Sequence, residues 1–124
     1  MQRRIFCGGV LNDASTKRYM SVAATLGCIA CEMDGYFGTP AELHHPRAKA
    51  GMGERGADME VIPLCPAHHR GIGDRVYPSG EEFPSIHMQT GWFRWKYGED
   101  AELSKIVRKR VCELERRTIG KIRP

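Results

Sequence analysis

The sequence predicts a small α+β domain. Three observations carry that expectation: apolar residues recur at helical spacing near both ends, two short middle segments read as strands, and cysteines and histidines gather in pairs around them. A chain of 124 residues is the length of one domain, and at that size roughly two-thirds of the unfolded surface is buried on folding.

Taken in order, a loop at "GGVLNDAS" leads to a helix over Lys17 to Leu26, with Ser15 or Thr16 as N-cap and Gly27 just past its end. A CxxC, Cys28 and Cys31, follows at once. Ala41 to His45 and Met59 to Leu64 read as two strands of a hairpin, joined by a long glycine-rich connection, "RAKAGMGERGAD". Glycines and prolines then break "GIGDRVYPSGEEF", and Pro84 opens a helix running to about Tyr97 with Ile86, Phe93 and Tyr97 on its apolar face. A last helix, about Glu99 to Arg117, begins acidic and ends basic, as the helix dipole favours; Leu103, Ile106, Val107 and Leu114 form its apolar side. The order helix, hairpin, helix, helix yields the α+β class, with helices flanking the hairpin on both sides.

Composition narrows the function. The longest apolar run is too short to cross a bilayer, and the start "MQRRIF" lacks the apolar region of a signal peptide. The expectation is a cytoplasmic protein. Five cysteines in a reducing compartment point to metal or chemistry before disulfides, with Cys7 and Cys112 read as ordinary buried thiols. The net charge of +4 is a mild excess, concentrated in "KIVRKRVCELERRTIGKIRP". Such a cluster can follow a phosphate backbone or form a solvated helix face.

Cys28 and Cys31 make one knuckle, and Cys65 with His68 repeats the two-residue gap. Three thiolates and one imidazole satisfy tetrahedral Zn²⁺, and this spacing lets both ligands of a knuckle converge without strain. Either His68 or the adjacent His69 can complete the set, and spacing favours His68. The domain then divides into a zinc-stapled core at about 27–98 and a basic helix at about 99–118.

His69 is left over, together with His44, His45 and His87. Packing four imidazoles into one small core would require a polar partner for every ring nitrogen, whereas a second metal site satisfies one nitrogen of each ligand. Neighbours on a strand face opposite ways, so only one of His44 and His45 can readily join a given ion.

"HHP", then "VIPLCPAHH", then "SIH" ahead of an aromatic helix resembles the HNH endonuclease family, and more narrowly the phage recombination-enhancement (Ref-like) nucleases. The similarity runs from about Lys17 to Ile106 and includes "AATLGCIAC", "GMGERGAD" and "WKYGEDAEL". The resemblance implies a ββα-metal (His-Me finger) hairpin and helix holding one catalytic ion, Mg²⁺ or Mn²⁺ if not Zn²⁺, with a separate structural zinc. His44, His69 and His87 would be ligands of that ion and His45 the general base. It also implies DNA as substrate, cleavage to a 5′ phosphate and 3′ hydroxyl, a bacterial host cell, and dependence on a host RecA filament. Two departures stand out. The family's central asparagine is missing, since the sole asparagine is Asn12, and Asp58 or Glu60 would have to supply the acceptor that orients His45. "GIGDRVYPSGEEFPS" separates His69 from His87 as an insertion.

Arg47, Lys49, Arg55 and Arg70 flank the paired histidines, where basic side chains can meet phosphates or simply be solvated. Trp92, Phe93, Trp95 and Tyr97 can stack on bases, but packing against the last helix is the better explanation for a bunched aromatic segment. The function expected is a metal-dependent DNA endonuclease of low sequence specificity. The alternative is a zinc-stabilised nucleic-acid binding module without catalysis, and His45, which a structural zinc does not need, discriminates the two.

Overall fold

A computed structural model describes residues 12–46, 59–72 and 82–122, with side chains to 117. Helix α1, Asp13–Thr25, begins earlier than expected because Asn12 is its N-cap. The Asn12 side chain accepts from the Ser15 N–H at 2.9 Å and the Ser15 hydroxyl accepts from the Asn12 N–H at 3.0 Å, a reciprocal box that satisfies two otherwise orphaned donors. Ser15 and Thr16 therefore sit inside the helix.

Gly27 follows at φ 80°, and a Cβ there would lie 3.0 Å from the Thr39 carbonyl oxygen, so only glycine allows the chain to turn this tightly into Cys28. Two short helices were not anticipated. Helix α2, Ile29–Met33, is capped by the Cys28 sulfur, which accepts from the Cys31 N–H at 3.3 Å. Helix α3, Pro66–Arg70, starts on proline, whose missing N–H costs nothing at a helix start, and ends at left-handed Gly71. A β-carbon on Gly71 would also strike Met88 Cγ at 2.9 Å.

Between them lies an antiparallel pair, β1 (Glu42–His44) and β2 (Ile62–Leu64), with Glu42 opposite Leu64 and His44 opposite Ile62. Both strands are shorter than the expected segments. Pro63, opposite Leu43, cannot donate to the ladder, which is tolerable where, among the described residues, neither strand has a second neighbour.

The helix expected from Pro84 shortens to α4, Thr90–Tyr97. Upstream of it the backbone pairs with α3 instead: Ile86 N–H donates to His68 O at 2.8 Å and His87 N–H to His69 O at 3.3 Å, while the Ser85 hydroxyl donates to His69 O and accepts from Met88 N–H. Helix α5, Asp100–Ile122, packs on α1 and β2 through Leu103, Val107 and Val111, all at most 1 % exposed. This i, i+4 stripe replaces part of the expected face, since Ile106 is turned outward and Leu114 is only half-buried. Phe93 and Tyr97 are buried as packing predicts, whereas Trp92 and Trp95 face solvent.

Glu60 meets α5 rather than His45: its carboxylate accepts from the Ser104 hydroxyl at 2.8 Å and from Arg108 at 2.7 Å. Arg110 pairs with Glu32, tying α5 to α2. Cys112 is joined in a disulfide, contrary to its reading as a free thiol, and Cys7 lies outside the described residues. Among the described residues no helix is long and apolar enough to cross a membrane.

Candidate metal centres

Cys28 precedes α2, Cys31 lies within it, Cys65 precedes α3 and His68 lies within it, so two helix starts at the end of the hairpin deliver four donors to one point. All four residues are buried, Cys31 and His68 completely. His68 Nδ1 lies 3.5 Å from Cys28 Sγ, 3.5 Å from Cys31 Sγ and 3.4 Å from Cys65 Sγ, and the sulfurs of Cys31 and Cys65 are 3.7 Å apart. A tetrahedral zinc with bonds of about 2.3 Å to sulfur and about 2.0 Å to nitrogen would separate sulfurs by about 3.8 Å and sulfur from nitrogen by about 3.5 Å. The donor set and its spacing fit that ion. His68 rather than His69 occupies the fourth place, because three residues along a helical turn return to the same side as Cys65.

The thiols share their protons unevenly. Hydrogen bonds with Cys28 and Cys31 pull Cys65 far below the usual thiol range, and contacts with Cys31 and Cys65, aided by burial, push Cys28 up. On the far side of the ring, His68 Nε2 is 3.0 Å from the Tyr97 hydroxyl, which donates to Asp34 at 2.6 Å; Lys96 lies 3.5 Å from Asp34. Phe83 stacks on the imidazole with centroids 4.4 Å apart. These contacts leave Nδ1 for the ion and hold the ring in place, as outer partners of metal-bound histidines do.

Adjacent in α3, His69 faces the opposite way and meets His44 from β1 and His87 from the turn before α4. Their ring centroids are 5.3 Å (His44 to His69), 5.2 Å (His44 to His87) and 4.9 Å (His69 to His87) apart, and one nitrogen of each falls within 4.8 Å of the others. His87 reaches the group because its backbone pairs with the His69 carbonyl; a helix begun at Pro84 would have spent that N–H elsewhere. His44 is buried, with neither ring nitrogen hydrogen-bonded, and desolvation pushes its imidazole down to about 4. A neutral buried ring with open nitrogens is suited to metal ligation. His45, one residue past β1, is exposed and stands outside this group.

Sequence reasoning missed Glu42. Its Oε1 lies 2.7 Å from His69 Nδ1, and Arg70 donates to both its oxygens at 2.6 Å. The Arg70 hydrogen bonds, with that of His69, hold the Glu42 carboxyl below the usual range. With Nδ1 engaged, His69 offers Nε2 to the centre. The available signal was the strand alternation of "ELHH", which puts Glu42 and His44 on one face. Of the expected phosphate-binding residues, Arg70 is exposed beside the histidines, while Arg47, Lys49 and Arg55 lie outside the described residues, as does Asp58.

A two-stranded hairpin with a buried Cys₃His cluster and a group of three converging histidines defines a small α+β domain with two places able to hold metal. The chain belongs to the recombination-enhancement, RecA-dependent nuclease family, whose model matches residues 12–110. That family is one of nucleases, hydrolases of phosphodiester bonds associated with recombination. No curated protein matches the chain.

Proposed function

We propose that the chain is a metal-dependent DNA endonuclease of the HNH, ββα-metal type, acting with low sequence specificity in recombination of phage or prophage origin and dependent on a RecA filament. The observation that carries the reading is the convergence of His44, His69 and His87 apart from the cysteine cluster, in a member of a nuclease family. In this reading Cys28, Cys31, Cys65 and His68 hold a structural zinc, and the three histidines hold Mg²⁺ or Mn²⁺.

Such an ion supplies positive charge to the scissile phosphate and the departing oxygen. His45, open to solvent beside the bound strand, takes a proton from the attacking water as its oxygen bonds to phosphorus. The 3′ oxygen leaves and is protonated by solvent, giving a 5′ phosphate and a 3′ hydroxyl. Glu42 fixes the His69 ring, and its pairing with Arg70 keeps a guanidinium next to the phosphate path, where it can donate to backbone oxygens. Arg47, Lys49 and Arg55 are retained as further candidates for phosphate binding. Asp58 is retained as the acceptor that orients His45, since Glu60 is engaged by Ser104 and Arg108.

The test is nicking of supercoiled plasmid with Mg²⁺ or Mn²⁺, with and without RecA filaments. The His45→Ala protein is expected to keep its zinc and lose at least about 100-fold in rate, the lower end for a general base. Equal nicking by both proteins removes the assigned base. No nicking by the unaltered chain, with DNA still bound, points instead to a zinc-stabilised binding module.

A further inference from the structure

We infer that Asp100, the first residue of α5, positions His44: its carboxylate accepts a hydrogen bond from His44 Nε2–H and so presents Nδ1 to the ion. The inference rests on the reading that His44, His69 and His87 hold that ion. Both ring nitrogens of His44 are buried without partners, and so is Asp100 Oδ1. The two groups face each other, with His44 Nε2 3.7 Å from Asp100 Oδ2. That gap is about 0.8 Å longer than an ordinary N–H···O bond. Buried polar atoms left unpaired are few in folded proteins, and closing this gap would give His44 Nε2 an acceptor in the Asp100 carboxylate.

Asp100 is not itself a ligand in this arrangement. The donor atoms of His44, His69 and His87 lie within 4.8 Å of one another and Asp100 falls outside that set. Its place matches that of Glu42 behind His69, whose Nδ1 contact is 2.7 Å. Two of the three histidines thus have a carboxylate beside one ring nitrogen, one from the hairpin and one from α5. Paired carboxylates of this kind set the tautomer and aim of metal-binding imidazoles.

The corner between α4 and α5 makes the placement possible. Gly98 turns it at φ 115°, where a Cβ would press on Glu102 Oε1 at 3.0 Å, and the Glu102 carboxylate accepts from the Glu99 N–H. Only two residues, Gly98 and Glu99, therefore separate Tyr97, which touches His68 of the cysteine centre, from Asp100, which faces His44 of the other. Arg94 lies 3.8 Å from Asp100 Oδ2 on the solvent side.

An acid in the first turn also suits the helix dipole, so the test must separate that contribution. Zinc-loaded protein is titrated with Mn²⁺ and the free ion followed by electron paramagnetic resonance, because Mn²⁺ prefers nitrogen and oxygen donors and leaves the thiolates to zinc. Asp100→Ala is expected to weaken Mn²⁺ binding by about 10- to 100-fold, the usual range for losing such a partner. Asp100→Asn, which keeps an acceptor oxygen, should recover most of the loss, and Glu102→Ala should bind like the unaltered chain. Equal binding by Asp100→Ala, or an equal loss in Glu102→Ala, overturns the inference. A second measurement needs no variant: nitrogen-15 correlation spectra of the unaltered zinc-loaded protein should show His44 carrying its proton on Nε2, and a proton on Nδ1 overturns the inference. Failure of the unaltered chain to bind Mn²⁺ at all removes the catalytic-ion reading and this inference with it, whereas Mn²⁺ binding indifferent to Asp100 removes the inference alone.

Discussion

Stripping metal from the Cys28, Cys31, Cys65, His68 cluster should unfold the domain near room temperature. The four donors are almost fully buried, and their 3.4–3.7 Å spacings already match a tetrahedral ion. The hairpin between the start of α2 and the start of α3 pairs over only three residues a side. A structural zinc contributes about 10 kcal/mol or more of apparent free energy, against a total stability of about 5–15 kcal/mol for ordinary domains. With an unfolding entropy of about 2.1 cal/mol/K per residue, 124 residues give about 0.26 kcal/mol/K, so losing 10 kcal/mol corresponds to a fall in Tm of about 40 °C. The assay is far-ultraviolet circular dichroism during heating, at neutral pH, with and without a strong zinc chelator, and with zinc added back. A chelated protein that melts cooperatively within a few degrees of the untreated one would refute the reasoning.

Two further outcomes follow from neighbouring groups. Burial holds His44 at about 4, below the ordinary histidine value of about 6.5, so the unfolded chain binds the proton first. The stability from the neutral ring is complete above about pH 6.5 and is lost as pH falls toward 4; between pH 7 and pH 5, urea unfolding of zinc-loaded protein should lose about 2 kcal/mol more than His44→Gln does, and equal losses would contradict the assignment. Tyr97→Phe removes the hydroxyl shared by His68 and Asp34. It should cost about 1–3 kcal/mol and about 10-fold in zinc affinity measured by chelator competition, and an unchanged affinity would show that Tyr97 only packs.

Much of the scaffold was legible because its signals are local. Gly27 and the knuckle spacing of Cys28 and Cys31 each act over a few residues. Where the reading slipped, a longer-range competitor won. Asn12 took the cap from Ser15 by a reciprocal bond, α5 claimed Glu60 through Arg108, and backbone pairing with α3 cut α4 short at its start. Glu42 was overlooked because an acid in a strand has no distinctive neighbours in sequence; its partners His69 and Arg70 lie across the fold.

The chain by itself determined the ligand types and their pairing, since donor chemistry and two-residue gaps are written in adjacent positions. Which histidine goes to which centre was decided in three dimensions. His68 and His69 point apart because successive side chains on a helix are rotated by about 100°, and His87 joins its group only because its N–H reaches the His69 carbonyl. Asp100 meets His44 across more than fifty residues, a distance over which no spacing rule operates and only packing brings two groups together.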